Sequence, residues 1–398
     1  MGNDGLVAVR YYLPMSRTMT VARRAASKML RRQSGRTAPA EAKPVTAKPP
    51  APRVNEPDKW SELNDSHLAG LETCDPVYRP TNFWGPGVRK LLDELRDLGL
   101  PVFKAWPAAH SWFYPTYGAG FTNATMKQIQ EFAVTLNPKS TKAYMVGALG
   151  GSLHARRDFD AVRLFWNQDR WPFDLNAYGE SREGKPPQRF RMTGQDDVAW
   201  GRPYLNYLLC LSALSQHVEE PPTSFIEIGG GYGVLGEIVM QRDPGARYVN
   251  LDIPPLLTVA SYYLTALFGA DKVRTSADVA EQGPVTVGAT GCLPNWRVAD
   301  VADQFDVFLN SFSFQEMEPS VVEHYIDEIA KKNVKYVVSL NSKLGKPKAE
   351  AAGSHGVIDQ VTSSLIIEMF EKRGYQLCGR YSEPLIISAG EIAVLKRI

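Results

Sequence analysis

The stretch Phe225-Ile226-Glu227-Ile228-Gly229-Gly230-Gly231-Tyr232-Gly233 sets a carboxylate and three glycines, Glu227, Gly229, Gly231 and Gly233, at alternate positions. Glycine lets a backbone turn tightly and approach a ligand closely. A helix that begins next adds its free N-terminal amides to such a loop. Asp252 lies 25 residues beyond Glu227, at the end of a second apolar run. A carboxylate there can accept both hydroxyls of a ribose, so its loss is expected to weaken a nucleoside while leaving stability little changed. Asn310 follows a further apolar run, and Glu316 stands six residues later among Phe312, Phe314 and Met317. Apolar neighbours partly dry a carboxyl and raise its pKa toward the range useful for accepting a proton. His355, between Gly353 and Gly356, is the second candidate base.

These residues need strand ends to stand on. Runs at 225–228, 247–251, 305–309 and 335–340 read as buried strands, with a short one at 285–287 and two more at 376–381 and 391–396. Helical spacing occupies 234–242, 254–268, 320–332 and 359–373 between them. Strands alternating with helices imply a parallel sheet covered on both faces, with ligands outside the carboxyl ends of the strands. The last two strands have no helix between them and predict an antiparallel hairpin. The expected fold class is therefore α/β: a doubly wound, mostly parallel, Rossmann-like seven-stranded sheet with a C-terminal antiparallel hairpin. A mainly helical, aromatic-rich N-terminal region precedes it, with helical spacing at 88–98, 126–136 and 202–217.

Gly231-x-Gly233-x-x-Gly236 also satisfies the dinucleotide fingerprint, so an NAD-dependent oxidoreductase is an alternative. Three features oppose it. Glu227 sits inside the strand, only 165 residues follow Gly233, and the chain closes on a hairpin. As a set, Glu227-x-Gly229-x-Gly231-x-Gly233 with Asp252 resembles the class I S-adenosylmethionine-dependent methyltransferases, over roughly residues 200–398. A narrower resemblance is to the bacterial sugar O-methyltransferase family. It rests on residues 227–233, on Leu251-Asp252-Ile253-Pro254, and on Asn310-Ser-Phe-Ser-Phe-Gln-Glu316-Met317, with Tyr325 fitting as well.

The resemblance implies methyl transfer from S-adenosylmethionine to a sugar hydroxyl, in natural-product or surface-glycan biosynthesis. Glu227, Gly229, Gly231, Gly233, Asp252 and Asn310 would hold the cofactor. The expected partner is a small-molecule or glycan sugar acceptor, with Glu316 as general base and His355 in reserve. A non-catalytic binding protein of the same fold is the other alternative. No metal-ligand motif occurs; a magnesium ion on scattered carboxylates is compatible with the sequence but not indicated by it.

Composition frames these expectations. Of 398 residues, 44% are apolar and 22% charged, the balance of a globular chain. Residues 1–60 carry 12 Lys/Arg against 4 Asp/Glu, and the remainder is mildly acidic at −6, so the folded part offers no basic face for nucleic acid. Six prolines fall within 37–57. Residues 1–57 are thus expected to be a disordered basic and Pro-rich tail, with peripheral contact to an anionic membrane surface open to it. Residues 58–200 are expected to cover the substrate and 201–398 to bind the cofactor. The four cysteines are far apart, and no apolar run reaches the ~20 residues of a membrane span. A cytoplasmic protein with reduced thiols is expected.

Overall fold

The computed structural model describes residues 59–398 apart from 119–126, 130, 133–134, 136–138, 196, 281, 352–353, 355 and 384–389. The tail expected at 1–57, much of the helix expected at 126–136, and His355 lie outside the described residues. Helices α1 (Lys59–Thr73), α2 (Gly85–Leu98), α3 (Ala109–Trp112), α4 (Lys139–Gly150) and α5 (Ser152–Phe165) come first, and α6 (Arg202–Ser215) leads into the sheet. Then follow β1 (Ser224–Ile228), α7 (Val234–Arg242), β2 (Arg247–Asp252), α8 (Leu256–Phe268), β3 (Val273–Arg274) and β4 (Thr290–Pro294). The chain ends with β5 (Val307–Ser311), α9 (Pro319–Lys331), β6 (Tyr336–Ser342), α10 (Ser363–Glu371), β7 (Tyr375–Tyr381) and β8 (Gly390–Arg397).

The sheet has eight strands in the order β3-β4-β2-β1-β5-β6-β8-β7. β1 pairs in parallel with β2 and β5, while β8 runs antiparallel to both β6 and β7. Six strands agree with the sequence reading, and the expected seven-strand count is corrected at one place. Residues 285–287 are not a strand: Val285 makes a single bridge to Val301. β3 and β4 occupy the edge instead. Val285 and Val287 are apolar because both are buried, at 3% and 0% exposure, not because they belong to the sheet. The last helix also starts later than expected, at Ser363, where Thr362 caps it by accepting from the Leu365 amide.

Alternation along the strands divides the core into two layers. Phe225, Tyr248, Cys292, Val307 and Leu309 point into one, against α6, α7 and α8. Ile226, Ile228, Val249, Leu251 and Phe308 point into the other, against α9 and α10. Residues Pro57–Ile398 make one compact unit. Phe83, Phe103, Trp106, Tyr114 and Tyr117, from before the sheet, enter the first layer. Most of the early aromatics are therefore core, as aromatic side chains usually are. No helix among the described residues is long and apolar enough to cross a membrane.

Candidate active site

A cavity of about 320 Å³ opens at the carboxyl ends of β1, β2, β4 and β5. The glycine loop forms its floor, Asp252 and Asn295 one side, and Glu316 with Lys346 another. Trp84, Trp112 and Phe113 from the N-terminal helical region complete the wall. The sheet thus brings residues 229–231, 252 and 316 to one site, where the sequence reading expected them.

The loop's shape follows from what lies against it. Gly229 adopts φ +70°, and a Cβ there would stand 2.4 Å from the Ser313 side chain. A Cβ on Gly230 would meet Glu227 Oε2 and Asn250 Oδ1 at 2.6 Å each. Gly233 is the residue from which α7 starts. Glu227 lies beneath this loop and does not line the cavity. Its two oxygens accept from Tyr207 and Tyr248 hydroxyls at 2.6 Å each. Burial pushes its pKa up to about 8, against the pull of those two hydroxyls. The sequence reading expected Glu227 as a cofactor contact; the structure places it under the loop backbone that lines the cavity, held there by the two tyrosines.

Asp252 is buried and reaches the cavity. Oδ2 accepts from the Gly231 amide and Oδ1 from the Ile253 amide, both at 2.7 Å. Burial raises its carboxyl to about 7, with the two amides pulling the other way. Each oxygen keeps a further lone pair for a ligand hydroxyl. Asn295, directly after β4, was missed because the strand before it was missed. Both hydrogens of its amide are committed, to Tyr78 O and Tyr325 Oη at 2.7 Å each. Its Oδ1 is buried without a partner among the described residues. A buried orphan acceptor beside a cavity costs free energy unless a ligand donor meets it.

Asn310 has a different place from the one expected. It is fully buried, donates to Ile228 O and Ser313 Oγ, and accepts from Asn341 Nδ2 at 2.9 Å. It does not line the cavity, so its work is to fix the ends of β1 and β5. Ser311, Phe312 and Ser313 reach the cavity in its stead.

Glu316 ends a 3₁₀ turn, Phe314–Glu316, and lines the cavity. Trp84 Nε1 donates to its Oε2 at 3.0 Å, and Lys346 Nζ stands 2.8 Å from its Oε1. Burial raises its pKa while Lys346 and Trp84 pull it down. Lys346 also lies 4.7 Å from the Phe83 ring centroid. Neither partner could be read from sequence, since each comes from a different segment. His324 packs edge-on to Tyr78, with Nε2 2.8 Å from its hydroxyl, and does not line the cavity.

A buried polar cluster backs the loop from the other side. Lys104 Nζ bonds Glu180 and Tyr263 Oη at 2.9 Å each and lies 5.0 Å from the Tyr232 ring. Tyr263 donates in turn to Glu237 of α7 at 2.7 Å, whose carboxyl burial pushes up to about 7. Among the described residues no group of three or more His, Cys, Asp or Glu could hold a metal ion.

Neither a protein-family model nor a curated protein matches the sequence. Among solved structures, the chain is similar to the pyocyanin biosynthetic protein PhzM, with a TM-score of 0.33 and 15% identity over 50% of this chain. The match spans 59% of PhzM's length, less than two thirds. It is also similar to magnesium protoporphyrin IX methyltransferase from Synechocystis PCC 6803 with bound SAM, at TM-score 0.31 and 13% identity, covering 45% of this chain and 71% of that one. A third similar structure is the mitomycin 7-O-methyltransferase MmcR, at TM-score 0.34 and 14% identity, covering 95% and 100%. At such scores the functional assignment rests on this chain's own residues.

Proposed function

We propose that this protein is an S-adenosylmethionine-dependent O-methyltransferase whose acceptor is a sugar hydroxyl. One observation carries the reading: a nucleoside-type loop with Asp252 and a buried carboxylate, Glu316, open on the same cavity. Asn295 Oδ1, fixed as an acceptor, suits an exocyclic amine such as that of adenine, and Asp252 suits the ribose diol. Trp84 and Trp112, with ring centroids 5.1 Å apart, give an apolar wall for the face of a sugar ring. The sugar part of the reading rests on this wall and on the family resemblance of the motifs.

When bound, the cofactor supplies a methyl group on a sulfonium whose departure leaves a neutral thioether. The glycine loop, Asp252 and Asn295 align it; alignment is the larger part of such catalysis. Glu316 would take the proton from the acceptor oxygen as that oxygen is methylated. Lys346 and Trp84 hold the carboxylate in place, and burial makes it a better proton acceptor than an exposed one. The test combines calorimetry of S-adenosylmethionine binding with turnover on a panel of sugar acceptors, the added methyl group being located by NMR. Binding without turnover on any acceptor would leave a non-catalytic binding protein; tighter retention of NAD would overturn the cofactor.

A further inference from the structure

The first two turns of α6 carry polar groups that the assignment above leaves unused. Arg202, Pro203, Asn206 and Tyr207 all line the cavity together with Gly229–Tyr232. Tyr207 reaches under the glycine loop to Glu227, which fixes this end of α6 beside the loop. Asn206 is only 8% exposed, and its side chain makes no hydrogen bond among the described residues. Its amide atoms are not sealed from solvent, so at the cavity wall they are available to a ligand.

Arg202 stands one turn earlier on the same face, since residues i and i+4 are neighbours on a helix. Its guanidinium gives one bond, to Thr116 O at 3.2 Å, and lies 5.6 Å from the Tyr117 ring centroid. It has no ion-pair partner among the described residues; Asp158 feels its charge but is bonded to Tyr117. The other cation lining the cavity, Lys346, is already paired with Glu316.

We propose that Arg202 and Asn206 hold the α-amino-acid end of the cofactor, Arg202 binding its carboxylate and Asn206 accepting from its ammonium. The proposal rests on the S-adenosylmethionine reading and extends it to a part of the ligand that neither Asp252 nor Asn295 touches. A guanidinium with a free edge suits a carboxylate geometrically, by two parallel N–H···O bonds. A neutral acceptor beside it suits the ammonium without competing for the arginine.

Calorimetry with two nucleosides tests this without any acceptor. S-adenosylhomocysteine carries the amino-acid end; 5′-deoxy-5′-methylthioadenosine keeps the adenosine and thioether but lacks it. Arg202→Gln should weaken S-adenosylhomocysteine by roughly ten- to a hundredfold, and Asn206→Leu by about fivefold. Methylthioadenosine should bind both variants within twofold of wild type, which also reports that the site is still folded. Equal weakening of both nucleosides, or unchanged S-adenosylhomocysteine affinity, would overturn the assignment while leaving the cofactor reading intact. If the unaltered protein binds neither nucleoside, the cofactor reading falls, and this assignment with it.

Discussion

Replacing Asp252 by alanine should damage two things at once, and the structure separates them. Its oxygens hold the Gly231 and Ile253 amides at 2.7 Å each, so the variant orphans two half-buried N–H groups. Each orphan costs about 1–3 kcal/mol. Relief of the burial penalty that lifts this carboxyl to about 7 offsets part of the loss. Cavity water at the vacated position offsets more. A net loss of about 2 kcal/mol is expected, or a Tm about 4 °C lower at roughly 2 °C per kcal/mol for a chain of this size. That corrects the sequence-based expectation of little change. The ribose loses a charge-assisted acceptor worth about 1.5–3 kcal/mol, so S-adenosylhomocysteine should bind roughly ten- to a hundredfold more weakly. Asp252→Asn should fall between, because an amide can accept from one backbone N–H but points its own donor at the other. Scanning calorimetry and titration calorimetry read the two effects. An alanine variant that binds S-adenosylhomocysteine within twofold of wild type would refute the ribose assignment. An unchanged Tm would refute the stitching of the loop.

Glu316→Gln should cut turnover on an accepted sugar by about a hundredfold or more, with cofactor affinity within a few-fold; near-normal turnover would move the base to His355. Burial pushes the Glu227 carboxyl up from the ordinary 4.5 to about 8 in the folded protein. The folded protein therefore holds the extra proton between those values, and stability falls as pH rises through that window. Its slope is at most about 1.4 kcal/mol per pH unit. Glu227→Gln should flatten that fall in chemical denaturation run from pH 5 to 9, and an unchanged slope would show that Glu227 is ionised at neutral pH. Lys104→Met leaves Glu180 buried without its cation, both side chains being 0% exposed. A loss of about 3–5 kcal/mol in denaturant titration is expected, recovered in part by adding Glu180→Gln. A chain beginning at residue 58 should bind S-adenosylhomocysteine within a few-fold of the full chain; loss of binding would show that the first 57 residues take part.

The glycine loop, Asp252 and the alternation of β1, β2, β5 and β6 were legible because each depends on neighbours close in sequence. A turn that excludes Cβ atoms writes itself as glycines, and a doubly covered strand writes itself as an unbroken apolar run. β4 was illegible for the converse reason. Thr290-Gly-Cys-Leu-Pro294 contains the two residues least at home in strands, yet lies between β2 and β3. Losing β4 also lost Asn295. The roles of Glu227 and Asn310 were readable as to place but not as to direction. Whether a side chain at a strand end faces a ligand or the backbone is decided by tertiary partners such as Tyr207, Tyr248 and Asn341. Trp84, Arg202 and Lys346 reach the cavity from three segments distant in sequence, and no local pattern announces them.

The bond from Trp84 Nε1 to Glu316 joins residues 232 positions apart. Gly229, Asp252 and Glu316 belong to the later half of the chain, and of the two groups that hold Glu316 one, Lys346, is also late, whereas the other, Trp84, is early. During synthesis Trp84 emerges long before its carboxylate exists and must wait for it. A fragment reduced to the sheet and its helices would lose not only Trp84 but also Phe103, Trp106 and Tyr114 from the first core layer and Lys104 from behind the glycine loop. The two halves of the chain therefore stand or fall together, and the cavity is a property of their joint packing rather than of the sheet alone.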